Sequence, residues 1–170
     1  MSFNHDICVI GGCGHVGLPL ALCFADKGQN VAVYDIDENA VSTVNSAKMP
    51  FLEEGCEKIL EDRINKNLVV SSNPSIITDS KNVIIVIGTP VDEFLNPDRV
   101  VFKNFIEDYY QYFTDNQTLI LRSTVFPGTT EWLNRFLSHK NKKINVSFCP
   151  ERIAEGKAIE EIYNLPQIVS

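Results

Sequence analysis

No stretch of the 170-residue chain is apolar for the roughly 20 residues that a membrane-spanning helix needs. The N-terminal run MSFNHDICV lacks a basic segment followed by a long apolar one, so no secretory signal is expected. Basic residues are sparse. The net charge is −7, and no Lys/Arg cluster exceeds Lys140-Lys142-Lys143. Nucleic acid and anionic membrane are therefore not expected partners. Cysteine is present without the spacing of a metal site: Cys8, Cys13, Cys23, Cys56 and Cys149 are odd in number and sit mostly in apolar settings. No metal is expected, and reduced thiols in a cytoplasmic protein fit best. Each cysteine reads as a small core hydrophobe. Cys13, inside a glycine loop, is expected to be the most reactive. Internal repeats and low-complexity linkers are also missing. With 44% hydrophobic and 22% charged residues, the chain is expected to form one domain over residues 1–170 with a real core.

What is present is a regular alternation of strand and helix signals. Strands are expected at Asp6–Ile10, Asn30–Tyr34, Leu68–Ser71, Asn82–Ile87, Thr118–Arg122 and Asn145–Phe148. Helices are expected at His15–Lys27, Glu38–Ser46, Gly55–Asn65, Lys103–Thr114 and Thr129–His139, with a short helical turn near Ser75–Asp79. The unbroken β-branched run Val83-Ile84-Ile85-Val86-Ile87 suits a parallel strand buried on both faces. Such alternation implies βαβ units and an α/β fold: a doubly wound, Rossmann-type parallel sheet with helices on both faces. The aromatic run Tyr109-Tyr110-Gln111-Tyr112-Phe113 is read as the core face of a helix.

The first strand ends in Gly12-x-Gly14-x-x-Gly17, which opens the first helix, and the second strand ends in Asp35, 18 residues beyond Gly17. In a dinucleotide site the first glycine allows a tight turn and the second lets backbone approach a pyrophosphate. The third lets the helix pack close to the strand, and the acid accepts hydrogen bonds from a ribose diol. The helix N-terminus adds free N–H groups and partial positive charge. A glycine turn in some other α/β protein is the plainer alternative. The sequence Asp35-Ile36-Asp37-Glu38 would repel a 2′-phosphate, so NAD is expected rather than NADP.

Ligands in such folds bind beyond the carboxyl ends of the strands. Three more loops fall there: Gly88-Thr89-Pro90-Val91-Asp92-Glu93, Arg122-Ser123-Thr124-Val125-Phe126-Pro127-Gly128-Thr129-Thr130, and Cys149-Pro150-Glu151-Arg152-Ile153-Ala154-Glu155-Gly156. Thr129 or Thr130 suits a helix cap. Thr89 and Thr124, at strand ends, suit either a cap or a contact with a nicotinamide. Glu155 reads either as an acid/base in the crevice or as a solvated charge at a helix start. Arg152 either neutralises a substrate phosphate or pairs with a nearby carboxylate.

Together GGCGHVGLPLA, GTPVDE, RSTVFPGTTE and CPERIAEG resemble the UDP-glucose/GDP-mannose dehydrogenase family, the nucleotide-sugar 6-dehydrogenases. The resemblance covers nearly the whole chain. The stretch from Pro150 to Glu161, ending in Leu165-Pro166-Gln167-Ile168-Val169, is most similar to members acting on UDP-N-acetylmannosamine or related UDP-N-acetylhexosamines. The resemblance implies oxidation of a sugar C6 alcohol to the carboxylate with two NAD+ reduced. A cysteine of the enzyme captures the aldehyde, and water hydrolyses the resulting thioester. By match, Gly12, Gly14, His15, Val16, Gly17 and Asp35 form the NAD site, with Thr89 and Pro90 against the cofactor. Thr124 would lie near the nicotinamide and the reacting centre, Glu151 would position a water with Thr124, and Glu155 would be the acid/base of hydrolysis. Glu151, Arg152 and Glu155 would face the UDP-sugar. A β-hydroxyacid or 6-phosphogluconate type of dehydrogenase shares the glycine turn but lacks the STV–PGTT and PER–AEG pairing. A stand-alone NAD-binding or regulatory module is the non-enzymatic alternative.

Two positions depart from the family: His15 stands where an aromatic such as tyrosine is common, and Glu54 where proline is. Family members continue into a connecting helix and a second domain that carries the nucleophilic cysteine, a lysine and an asparagine. The expectation is therefore an N-terminal NAD-binding portion that binds NAD without completing turnover, from an enzyme that is a homodimer at full length. Cys149 is not expected to replace the missing nucleophile.

Overall fold

The computed structural model describes residues 3–88, 99–154 and 156–170. Six strands form one parallel sheet: β1 (His5–Ile10), β2 (Val31–Tyr34), β3 (Leu68–Ser71), β4 (Ser80–Ile85), β5 (Thr118–Leu121) and β6 (Asn145–Phe148). Their order is β3-β2-β1-β4-β5-β6. The order reverses between β1 and β4, which opens a crevice at the carboxyl ends of those two strands. Among the described residues six α-helices accompany them: α1 (Gly17–Asp26), α2 (Glu38–Asn45), α3 (Cys56–Arg63), α4 (Arg99–Tyr109), α5 (Thr129–His139) and, after the last strand, α6 (Ala158–Asn164). The doubly wound α/β fold expected from the alternation is the fold found.

Alternating side chains of each strand serve two cores. Ile7 and Val9 of β1 join Val31, Val33, Leu18, Leu22 and Leu60 on one face. Cys8 and Ile10 join Tyr34, Val83, Ile85, Ile106, Leu119 and Leu133 on the other. Burial on both faces is why these strands read as continuous apolar runs.

Several boundaries differ from the sequence expectation, each for a local reason. α1 begins at Gly17 rather than His15, because the glycine turn occupies residues 11–16. β4 ends at Ile85: Val86 still donates to the Ile10 carbonyl (2.9 Å), and the chain then leaves the sheet. The fourth helix runs four residues further back than expected and tightens into a 3-10 turn at Tyr110–Tyr112. α6 is not among the helices bounded from sequence, where a helix start near Glu155 was only one of two readings. Ile168–Ser170 forms no strand along its length, although Ser170 and Phe148 exchange both backbone hydrogen bonds (2.9 and 3.0 Å). That reciprocal pair is antiparallel geometry on the edge of β6. No described helix is long and apolar enough to cross a membrane.

Candidate functional site

Register places the strand ends side by side. Ile10 pairs with Tyr34 and with Ile85, Ile85 with Leu121, and Leu121 with Phe148. The residues just beyond these ends therefore share one rim. Two cavities run along it, of about 610 Å³ and 290 Å³, and Gly11, Gly14, Val86, Ile87 and Gly88 line both. They are two arms of one groove. Asp35 lies in the first arm and Thr124 and Glu151 in the second.

The glycine turn forms the groove's floor. Gly11, outside the GxGxxG spacing, takes the left-handed backbone (φ +72°), and a Cβ there would sit 2.5 Å from the Val86 carbonyl oxygen. The tight turn assigned in sequence to Gly12 depends on Gly11 as well: at Gly12 a Cβ would sit 2.7 Å from the Val9 carbonyl oxygen and 2.7 Å from the Val33 side chain. At Gly17 a Cβ would meet the Gly11 oxygen and the Gly12 Cα at 2.6 Å, so the helix start packs on the turn as the spacing implied. Beside Gly14 a Cβ would meet only the Gly11 oxygen, at 3.7 Å, which keeps that side of the turn open. α1 has no side-chain cap and no acid in its first turn. Leu18 N–H already donates to the Gly14 carbonyl (3.0 Å) and Pro19 carries no N–H, so the helix start offers an anion its dipole and the N–H groups of the turn that precedes it. His15 and Val16 line the same arm as Thr124.

Asp35 is held by backbone. Its Oδ2 accepts from Cys13 N–H (2.9 Å) and its Oδ1 from Asp37 N–H (3.1 Å). A carboxylate has about four lone-pair sites, so acceptor capacity remains for a diol. The opposite wall of this arm is α4, through Phe105, Asp108 and Tyr109. Tyr109 also bonds Tyr34 hydroxyl to hydroxyl (2.7 Å) and stacks on Phe105 with centroids 4.8 Å apart. The aromatic run therefore divides: Phe113 is core as expected, whereas Tyr109 reaches the groove. Burial, and then the Tyr109 hydroxyl, raise the Tyr34 phenol above its ordinary value.

In the second arm, Thr124 is exposed and its hydroxyl makes no hydrogen bond to a described residue. Ser123, which carried no role in the sequence reading, is buried and donates to the Ile87 carbonyl (2.7 Å), fastening the ends of β4 and β5. Arg122 also went unassigned. It is 5% exposed and grips Glu151 through Nε (2.7 Å to Oε2) and Nη2 (3.3 Å to Oε1). Its Nη1 donates to Gln167 Oε1 (2.9 Å) and lies 3.1 Å from Cys149 Sγ. Glu151 Oε1 further accepts the N–H groups of Arg152 (2.6 Å) and Ile153 (3.0 Å). Glu151 is thus fixed in the groove wall with its charge matched. Arg152 is exposed, donates to the Pro166 carbonyl at 3.4 Å, and pairs with no carboxylate among the described residues. Thr89, Pro90 and Glu155 lie outside the described residues. Among the described residues no His/Cys/Asp/Glu group could hold a metal.

A third cavity, of about 590 Å³, lies apart from the glycine turn between α1, α6 and β4–β6. Its lining is mainly apolar, with Leu20, Phe24, Ile120 and Ile162, and includes no acid.

All five cysteines are free and buried. The reactivity expected of Cys13 is corrected: burial, with Asp35 and Asp37 nearby, pushes its thiol up to about 12. Burial likewise raises Cys8 and Cys56 to about 12 and Cys23 to about 11. The folded chain therefore keeps protons that an unfolded chain releases above about pH 8.5. Stability from this source is whole below that pH and declines as pH rises towards 12. Thermal melts are expected to be level from pH 7 to 8 and to fall by pH 10. A variant with Cys13 and Cys56 changed to alanine should fall less steeply; equal slopes would remove the thiols as the cause.

The groove can be set beside known proteins. Over 163 residues the chain is 32% identical to a UDP-N-acetyl-D-mannosamine dehydrogenase of Methanococcus aeolicus, covering 93% of this chain and 36% of that protein. It is 28% identical to a UDP-glucose 6-dehydrogenase of Bacillus subtilis, covering 93% and 35%. The solved UDP-D-ManNAc dehydrogenase of Pyrococcus horikoshii superposes with a TM-score of 0.87 at 27% identity, covering 96% of this chain and 40% of that one. The chain thus spans less than half the length of each. The family model for the NAD-binding domain matches residues 5–170. With a glycine turn kept open at Gly14 and an acid anchored at the end of β2, the residues present fit that cofactor, and the chain belongs to the UDP-glucose/GDP-mannose dehydrogenase family as its NAD-binding domain.

Proposed function

We propose that this chain is the cofactor-holding portion of an NAD-dependent nucleotide-sugar 6-dehydrogenase, with UDP-N-acetylmannosamine or a related UDP-hexosamine as substrate. The observation that carries the reading is one continuous groove from Asp35 to Glu151, floored by the glycine turn. When bound there, NAD+ supplies a hydride acceptor. Asp35 holds the ribose diol, and the turn at Gly14 with the start of α1 meets the pyrophosphate. Thr124 offers an uncommitted hydroxyl at the other end, beside the reacting carbon. Glu151, held in place by Arg122, orients a water with Thr124. Arg152, exposed next to Glu151, is available to a substrate phosphate. By their match to the family motifs, Thr89 and Pro90 are assigned to cofactor binding and Glu155 to proton transfer in hydrolysis.

The relatives named above are more than twice as long as this chain. The reading therefore assigns residues 1–170 to the N-terminal portion of a two-domain, cytoplasmic, homodimeric enzyme. The nucleophile lies in the other domain, consistent with five buried thiols here. Titration calorimetry should show NAD+ binding to the 170-residue chain and NADP+ binding at least about tenfold weaker, since Asp35, Asp37 and Glu38 oppose a 2′-phosphate. The same chain should not oxidise UDP-sugars. Absence of NAD+ binding overturns the reading, and full turnover by the chain alone overturns the division of labour.

A further inference from the structure

The connection between α2 and α3 lines neither arm of the groove, yet it touches the glycine turn and the segment that follows Glu151. Phe51 stacks on His15 of the glycine turn, with ring centroids 4.0 Å apart. Two residues later Glu53 is buried, 8% exposed. Both of its oxygens are committed to a segment more than a hundred residues away: Oε2 accepts from Gly156 N–H (2.9 Å) and Oε1 from Ala158 N–H (2.8 Å). A buried carboxylate is costly unless its charge is met by hydrogen bonds, and here the donors are the backbone at the start of α6. α6 has no cap of its own, because Lys157 occupies the N-cap position and makes no side-chain cap bond. The loop from Glu151 to Ala158 is therefore held by Arg122 at one end and by Glu53 at the other, with Glu161 of α6 accepting from Ala154 N–H (2.6 Å) between them.

We propose that Glu53 is a positioning residue, which sets the placement of the Glu151–Ala158 loop against the Thr124 end of the groove. This rests on reading that groove as the dinucleotide and reaction site. If α6 needed only a cap, Asp or Ser at position 157 would supply one locally. Glu53 instead ties the loop to the element that also supports the glycine turn. Cofactor floor and loop are thereby referenced to one short connection, Phe51 to Glu53.

The test compares Glu53→Gln with Glu53→Gln/Lys157→Asp, which restores a local cap. In the 170-residue chain, Glu53→Gln should shift the amide resonances of Gly156 and Ala158 upfield. Their exchange protection should fall at least about tenfold, as expected when a charge-assisted bond becomes neutral. NADH affinity, read by fluorescence, should stay within about twofold, because the glycine turn and Asp35 are untouched. In the full-length enzyme, kcat for UDP-sugar oxidation should fall about tenfold with KM for NAD+ unchanged, the pattern of a lost reaction-geometry contact. The double variant should regain melting temperature but not kcat. Recovery of kcat together with melting temperature, or an unchanged kcat in Glu53→Gln, overturns the proposal and leaves Glu53 a simple cap. Failure of the unsubstituted chain to bind NADH overturns the dinucleotide reading itself, an outcome recognisable before any variant is made.

Discussion

Arg122→Ala is expected to destabilise the chain by about 3–5 kcal/mol, the range for removing one partner of a buried ion pair. Arg122 and Glu151 have side chains only 6% and 14% exposed, and the two make a 2.7 Å contact. Without the guanidinium, Glu151 loses both of its charge-assisted side-chain hydrogen bonds in a wall from which water is largely shut out. Gln167 and Cys149 lose their shared donor as well. Urea unfolding of the two chains measures the loss. Arg122→Met/Glu151→Leu should recover part of it, because no uncompensated charge remains. Recovery should be incomplete, since Glu151 also accepts the Arg152 and Ile153 N–H groups. A loss under about 1 kcal/mol would place the pair among solvated surface bridges and remove the ground for calling Glu151 fixed.

Asp35→Ala is expected to weaken NAD+ binding by about 1.5–3 kcal/mol, roughly tenfold to 150-fold, the usual cost of losing hydrogen bonds to a charged acceptor. Two contributions combine. The diol loses its acceptor, and Cys13 N–H loses the carboxylate that holds the glycine loop to the end of β2. Asp35→Asn separates them, because an amide oxygen can still accept from Cys13 while the charge is gone. Its affinity should fall between those of the parent and the alanine variant in calorimetry. Unchanged affinity in Asp35→Ala would mean that the ribose is held elsewhere. Preference for NAD+ over NADP+ should narrow in both variants, since each removes one negative charge from the 2′-hydroxyl position.

Much of the site was legible before any coordinates. Gly14, Gly17 and Asp35 carry their chemistry in residue type and spacing, and the structure places them along one groove. Gly11 escaped notice because its need is a positive φ beside the Val86 carbonyl, a neighbour on another strand. Arg122 was visible as the residue before Ser123-Thr124, but its partner lies 29 residues on and is brought near by the β5–β6 pairing. Tyr109 was read as core with its neighbours. Only the packing of α4 against the end of β2 separates it from Phe113.

Local patterns determined the elements. β-branched runs, helical periodicity and glycine spacing act over a few residues, so the chain alone specifies a doubly wound sheet with a dinucleotide turn. Tertiary structure decided what depends on contacts distant in sequence. α6 starts where Glu53 reaches it from 105 residues away, supplying N–H acceptors that Lys157 at the N-cap does not. The charge of Glu151 is matched by Arg122 just past the end of β5, and the Cys13 thiol is pushed up by burial and by Asp35 at the end of β2. Burial and long-range hydrogen bonds are properties of the packed chain, and only packing could set them.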